Sequence, residues 1–62
     1  MQIKNINEFK TKEEVRQYAI EWQIWQSDKD LSYWDVLEWQ QFFSLLAKTF
    51  RLTTEFKENG II

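Results

Sequence analysis

Apolar residues recur at helical spacing in two stretches of the chain, and the stronger pattern lies between Leu31 and Phe50. At about 100° per residue, the pattern places a wide apolar stripe on one side of a helix, as expected for a buried face. The stripe consists of Val36, Trp39, Phe42, Phe43, Leu46, Ala47 and Phe50. Ser32 is a favourable N-cap, and Asp35 puts a carboxylate near the positive end of the helix. The pattern predicts a helix over residues 33–50.

A second stripe predicts a helix over residues 12–26, opened by Thr11 and Glu14 at capping-box spacing. Its apolar face consists of Val15, Tyr18, Ala19, Trp22 and Trp25. The polar segment Ser27–Asp30 leaves room only for a short turn, which favours an antiparallel hairpin. In that hairpin we expect Trp22 to meet the helical turn that contains Trp39.

The two ends of the chain carry weaker helical signals. Asn5 and Glu8 have capping-box spacing, which favours a short helical or 3₁₀ turn, although an extended arm fits the pattern nearly as well. Thr53 is the expected cap of a last helix that ends near Asn59, and Gly60 suits the left-handed residue of a Schellman stop that folds Ile61 back on Phe56. With no Pro and one Gly, the sequence predicts a single all-α domain over residues 1–62.

Each long helix also carries apolar residues outside its main stripe. Trp34, Leu37 and Leu45 lie on a flank of the second helix, and Ile20 and Ile24 lie nearly opposite the main face of the first. Two interpretations are open: the terminal segments cover these side chains, or they remain exposed as a contact patch. Trp is favoured at the centres of protein contacts, so Trp34 and Leu45 favour the second interpretation. These five residues are the candidate protein interface.

Composition narrows the functional classes. A chain of 62 residues has a thin stability margin, and without Cys or His it has neither disulfides nor a conventional zinc site, which leaves a dense aromatic core, oligomerisation or both. The formal charge of −2, with both signs interspersed, gives no reason to expect nucleic acid or an anionic membrane. No signal-peptide pattern or membrane-length apolar run is present, so we expect a cytoplasmic protein.

Catalytic and metal-binding patterns find little support. Residues 28–32, DKDLS, resemble the start of an EF-hand loop, but Tyr33 stands where that loop needs Gly and Trp39 where it needs a bidentate Glu. The carboxylates lie at helix starts or on polar faces, where they serve solubility and the helix dipole. We therefore predict no enzyme, no metal, no cofactor and no small-molecule ligand.

A DNA-binding alternative uses residues 46–59. Ala47, an aliphatic residue at Leu52 and a hydroxyl at Thr53 resemble the repressor type of helix-turn-helix, in which Gly usually stands where Arg51 stands here. The following segment carries Glu55 and Glu58 against one Lys, whereas a recognition helix should present positive charge and donors to DNA.

The C-terminal half, residues 33–62, resembles short uncharacterised proteins of phages and prophages of Gram-positive bacteria. The resemblance rests on Leu37-Glu38-Trp39, on Leu46-Ala47-Lys48 and on the ending EFKENGII over residues 55–62. It implies a small intracellular accessory protein that binds another protein, and it brings no activity or site residue with it. The prediction is a non-catalytic interaction module that binds itself or a host protein through an apolar helical face.

Overall fold

The computed structural model describes residues 1–62 and contains three α-helices and no β-strand. The two long helices are α1, Lys12–Ser27, and α2, Tyr33–Phe50. A 3₁₀ turn at Ile6–Glu8 precedes them, and the short helix α3, Thr53–Glu58, follows. The all-α prediction is confirmed, and the bounds of both long helices agree with the expected ones to within one residue.

Local side-chain caps explain where the 3₁₀ turn and the two long helices begin. The Ser32 hydroxyl accepts from the Asp35 N–H at 3.2 Å, and the Asp35 carboxylate accepts from the Ser32 N–H at 3.4 Å. Asn5 and Glu8 form the same reciprocal box around the 3₁₀ turn, so of the two conformations expected there the chain adopts the short helical turn and not the extended arm. Thr11 accepts from the N–H of the residue three positions on, which caps α1 with one bond.

Left-handed residues end α2 and α3. Arg51 adopts φ 59° and ψ 43°, and the Leu52 N–H behind it donates to the Ala47 carbonyl at 2.7 Å. Gly60 adopts φ 74°, and the Ile61 N–H donates to the Phe56 carbonyl at 2.8 Å, which confirms the expected Schellman stop.

The expected cap of α3 is wrong by one position. Leu52, not Thr53, is the N-cap of α3, and no side chain caps that helix. The left-handed turn at Arg51 is tight enough to bring Thr53 directly into the first helical position. Because Leu52 and Phe56 are buried, tertiary packing stabilises α3 without a side-chain cap.

One aromatic core joins the hairpin to both terminal segments. Trp22 of α1 lies 5.9 Å from Trp39 of α2 between ring centroids, as the antiparallel hairpin requires. The buried side chains are all apolar or aromatic: Phe9, Val15, Tyr18, Ala19, Trp22, Trp39, Phe42, Phe43, Leu46, Ala47, Leu52, Phe56 and Ile61. Trp25 and Phe50 of the predicted stripes pack at the edge of this core.

Val36 is the exception in the predicted core stripe, because 40% of its surface is exposed. It lies in the first turn of α2, near the connection to α1. Helical phase alone therefore does not decide whether this position is buried.

Candidate protein-interaction surface

The outer face of α2 carries exposed apolar side chains outside the core. Trp34 is 73% exposed and Leu45 is 51% exposed, while Leu37 between them is half-buried. This face points to solvent because Phe43 and Leu46 turn the opposite side of the same helix into the core. The sequence pattern placed these three apolar residues outside the main stripe, and the structure places them along one helical surface.

The terminal segments do not cover this face. Phe9, Leu52, Phe56 and Ile61 are all buried in the common core of the hairpin. They complete that core from the sides, instead of folding over the outer surface of either long helix. The first of the two interpretations that the sequence left open therefore does not describe the exposed positions.

Trp34 has one aromatic neighbour, Tyr33, which precedes it at the start of α2. The two rings lie 5.4 Å apart between centroids at 78°, an edge-to-face arrangement, and both are largely exposed. The Ser32 cap fixes the backbone of this first turn. The pair therefore presents a broad aromatic surface on a regular helix, and Tyr33 is a site residue that the main-stripe and flank patterns did not single out.

A shallow, open depression continues the face towards the C-terminal end of α2. It is lined by Leu37, Gln40, Gln41, Ser44, Leu45 and Lys48. None of the side-chain hydrogen bonds within the chain uses the amide of Gln41 or the hydroxyl of Ser44. Lys48 is the only charged residue of the lining, so the depression offers an incoming surface mainly apolar and neutral polar groups.

Ile20 and Ile24 of α1 are 50% and 68% exposed, but they do not join the face of α2. Both long helices turn their main stripes towards the shared core, so their outer faces point in opposite directions. Ile20 instead lines a groove between α1 and the C-terminal segment. The five candidate interface residues therefore divide into two separate surfaces.

Polar bridges close the groove beside Ile20. The Arg16 guanidinium donates to the Glu55 carboxylate at 2.8 Å and also pairs with Glu13. The hydrogen bond to Glu55, followed by that to Glu13, raises the pKa of Arg16 above its ordinary value. These contacts join α1 to α3, so the groove is occupied by the chain's own structural links.

Tyr18 is a core residue whose pKa is raised above its ordinary value. Its hydroxyl donates to the Gln2 carbonyl, and Lys4 lies 5.1 Å from its ring centroid. Burial raises the pKa of Tyr18, and the charges of Glu21 and Glu8 raise it further. This arrangement ties the N-terminal residues to α1, and it supplies no partner that would activate the phenol as a nucleophile or base.

No cluster of three or more His, Cys, Asp or Glu side chains in the chain is arranged to hold a metal ion. No helix combines the length and apolar character needed to cross a membrane.

The segment suggested for DNA binding has a compact structure. Leu46, Ala47 and Phe56 are buried, and α3 is only six residues long. Glu55 on that helix pairs with Arg16, while Glu58 lies at its end. A helix this short and acidic offers few donors to a DNA groove.

Comparison with known proteins finds no matching family model, no similar curated protein and no similar solved structure.

Proposed function

We propose that this protein is a non-catalytic interaction module that binds another protein chain through the outer face of α2. The observation that carries the proposal is the exposure of Trp34, 73% of whose surface is open to solvent on a well-capped helix. Trp concentrates at the centres of protein interfaces because it buries a large area with little loss of side-chain freedom. Leu37 and Leu45 extend this apolar strip along the helix.

The rest of the molecule supports a binding role for this face. The core is complete without Trp34 and Leu45, since all of its members come from other positions. Small monomeric proteins gain no stability from a large exposed aromatic residue, whereas an interface gains affinity from one. The resemblance of residues 33–62 to phage and prophage proteins is in keeping with a cytoplasmic accessory role, which we adopt as part of the proposal.

Capture of partners from an extract of the source cells tests the proposal. The immobilised wild-type chain is compared with Trp34→Ala, Leu45→Ala and the matched control Ile24→Ala, which removes a similarly exposed apolar side chain from α1. We expect the first two to lose the captured protein and the control to keep it. A hot-spot Trp contributes at least about 2 kcal/mol, so Trp34→Ala should weaken binding by roughly thirtyfold or more.

Circular dichroism of each variant establishes that the fold is intact before capture is compared. Capture that is unaffected by Trp34→Ala and Leu45→Ala, or that is lost only with Ile24→Ala, would contradict the assignment of the outer face of α2.

A further inference from the structure

We propose that the partner at this face is a second copy of the chain, and that two α2 helices pack antiparallel across a two-fold axis at Gln41. The inference rests on the proposed function and specifies its occupant. It follows from the order of residues along the exposed face, together with the position of the depression.

The exposed face is self-complementary about Gln41. Trp34 and Lys48 each lie seven positions from it, and Leu37 and Leu45 each lie four positions from it. In a two-fold antiparallel pair, a residue before the axis faces the residue equally far behind it on the other copy. Trp34 therefore faces Lys48 of the second copy, and Leu37 faces Leu45.

Each of these pairings is chemically favourable. The two leucines bury apolar surface against each other, and the Lys48 ammonium lies over the Trp34 indole in a cation–π contact. Gln41 meets its own symmetry mate, and a primary amide carries both the donor and the acceptor that such a pair needs. The depression beside Leu37 and Leu45 lies over this axis, where it can receive side chains of the other copy.

Charge distribution selects the antiparallel orientation. Asp35 and Glu38 lie in the N-terminal part of α2, whereas Lys48 lies near its C-terminal end. A parallel pair would set Lys48 beside Lys48 and acid beside acid. The antiparallel pair places Lys48 within about one helical turn of Glu38 on the other copy, and it sets opposite ends of the helix dipoles together.

The size of the face predicts a reversible dimer. The 18 residues of α2 extend over about 27 Å, and a helix is about 10–12 Å wide, so each copy buries on the order of 300 Å². A standard stable interface buries about 800 Å² per partner. We therefore expect a weak dimer whose folded monomer persists on dilution, in keeping with the complete core of the single chain.

Sedimentation equilibrium of charge variants at position 34 provides the test, at concentrations up to about 1 mM, where a weak dimer is populated. Trp34→Lys places an ammonium against Lys48 and should abolish association. Trp34→Glu places a carboxylate there and should retain it, so that the two dissociation constants differ by about tenfold or more. Adding Lys48→Glu to Trp34→Lys should restore the dimer.

The absence of native cysteine permits a second, geometric readout. With helix axes about 8–10 Å apart and Cα atoms about 2.3 Å from each axis, facing Cα atoms on the two-fold lie about 3.4–5.4 Å apart, a range that overlaps the Cα separation of a disulfide. Gln41→Cys should therefore form a dimeric disulfide rapidly under mild oxidation. Ile24→Cys, at a position of α1 that is also exposed, should react slowly.

A wild-type chain that stays monomeric at about 1 mM, or Gln41→Cys that crosslinks no faster than Ile24→Cys, would overturn the homodimer. Equal dissociation constants for Trp34→Glu and Trp34→Lys would overturn the antiparallel register. Failure of the homodimer remains distinguishable from failure of the proposed function. If the chain is monomeric but still captures another protein in a Trp34-dependent manner, only the homodimer is refuted. If it is monomeric and its capture of other proteins does not depend on Trp34, both the homodimer and the proposed function are refuted.

Discussion

Substitutions at Phe43 and Trp34 should have opposite consequences, although both residues are aromatic and both lie on α2. Phe43 is fully buried, and its ring centroid lies within 5.1–6.1 Å of five other rings. Those rings belong to Tyr18, Trp22, Trp39, Phe42 and Phe56. Trp34 has one exposed aromatic neighbour and no place in the core.

The expected magnitudes follow from this difference. A chain of 62 residues has a free energy of unfolding of about 3–9 kcal/mol, and Phe→Ala in a core costs about 3–5 kcal/mol. Phe43→Ala should therefore remove about a third or more of this free energy, and it would leave much of the protein unfolded if the wild type lies at the low end of the range. Phe43→Leu leaves a smaller cavity and loses only the ring contacts, so we expect a cost of about 1–2 kcal/mol. Trp34→Ala should change stability by less than about 0.5 kcal/mol.

Urea denaturation followed by far-UV circular dichroism measures these changes, at a protein concentration low enough to keep the chain monomeric. The wild type, Phe43→Leu and Trp34→Ala should share one m-value and differ in midpoint. If Trp34→Ala destabilised the monomer as much as Phe43→Leu, Trp34 would be a core residue, and the division of α2 into a core face and a contact face would be wrong.

Three further predictions concern the left-handed helix ends, the pKa of Tyr18 and DNA binding. Arg51→Gly should stabilise the chain by up to about 1 kcal/mol, because it removes left-handed strain at φ 59°. Gly60→Ala at φ 74° should destabilise the chain by a similar amount, and thermal unfolding measures both changes. The pKa of Tyr18 is raised above its unfolded value of 10.0, so its contribution to stability is fully present below pH 10.0 and should be lost as pH rises through the folded pKa. A Tyr18→Phe variant should therefore show a smaller decline of the unfolding midpoint above pH 10.0. Duplex DNA should not bind in a gel-shift assay even at low salt; steeply salt-dependent binding that is abolished by Arg51→Glu would favour the helix-turn-helix alternative instead.

The helices were predictable because their signals are local. Ser32 and Thr11 specify where α2 and α1 begin through their own hydroxyl groups, and the apolar stripes specify which sides are buried. Where tertiary structure decides, the sequence prediction was less accurate. Val36 has the right helical phase for the core but is 40% exposed at the start of α2, and α3 begins at Thr53 because the left-handed Arg51 shortens the connection.

The candidate site was predictable only in part for the same reason. Helical phase shows that Trp34, Leu37 and Leu45 lie off the main stripe, but it does not show where the terminal segments go. Phe9 and Phe56 could have packed on either side of the hairpin, and their burial in the common core is a property of the assembled fold. The symmetric spacing of residues about Gln41 is visible in the sequence, but it suggests a dimer only once these residues are known to lie on an exposed face.

The most direct test of the contact face is fluorine NMR of the chain labelled with 5-fluorotryptophan, recorded over a dilution series and with any captured partner. The four Trp residues report on different places, since Trp22 and Trp39 are buried in the core and Trp25 is half-buried at its edge. We predict that the Trp34 resonance shifts or broadens on association while those of Trp22 and Trp39 stay unchanged. Association that leaves the Trp34 resonance unmoved would contradict the assignment of the outer face of α2 as the contact surface.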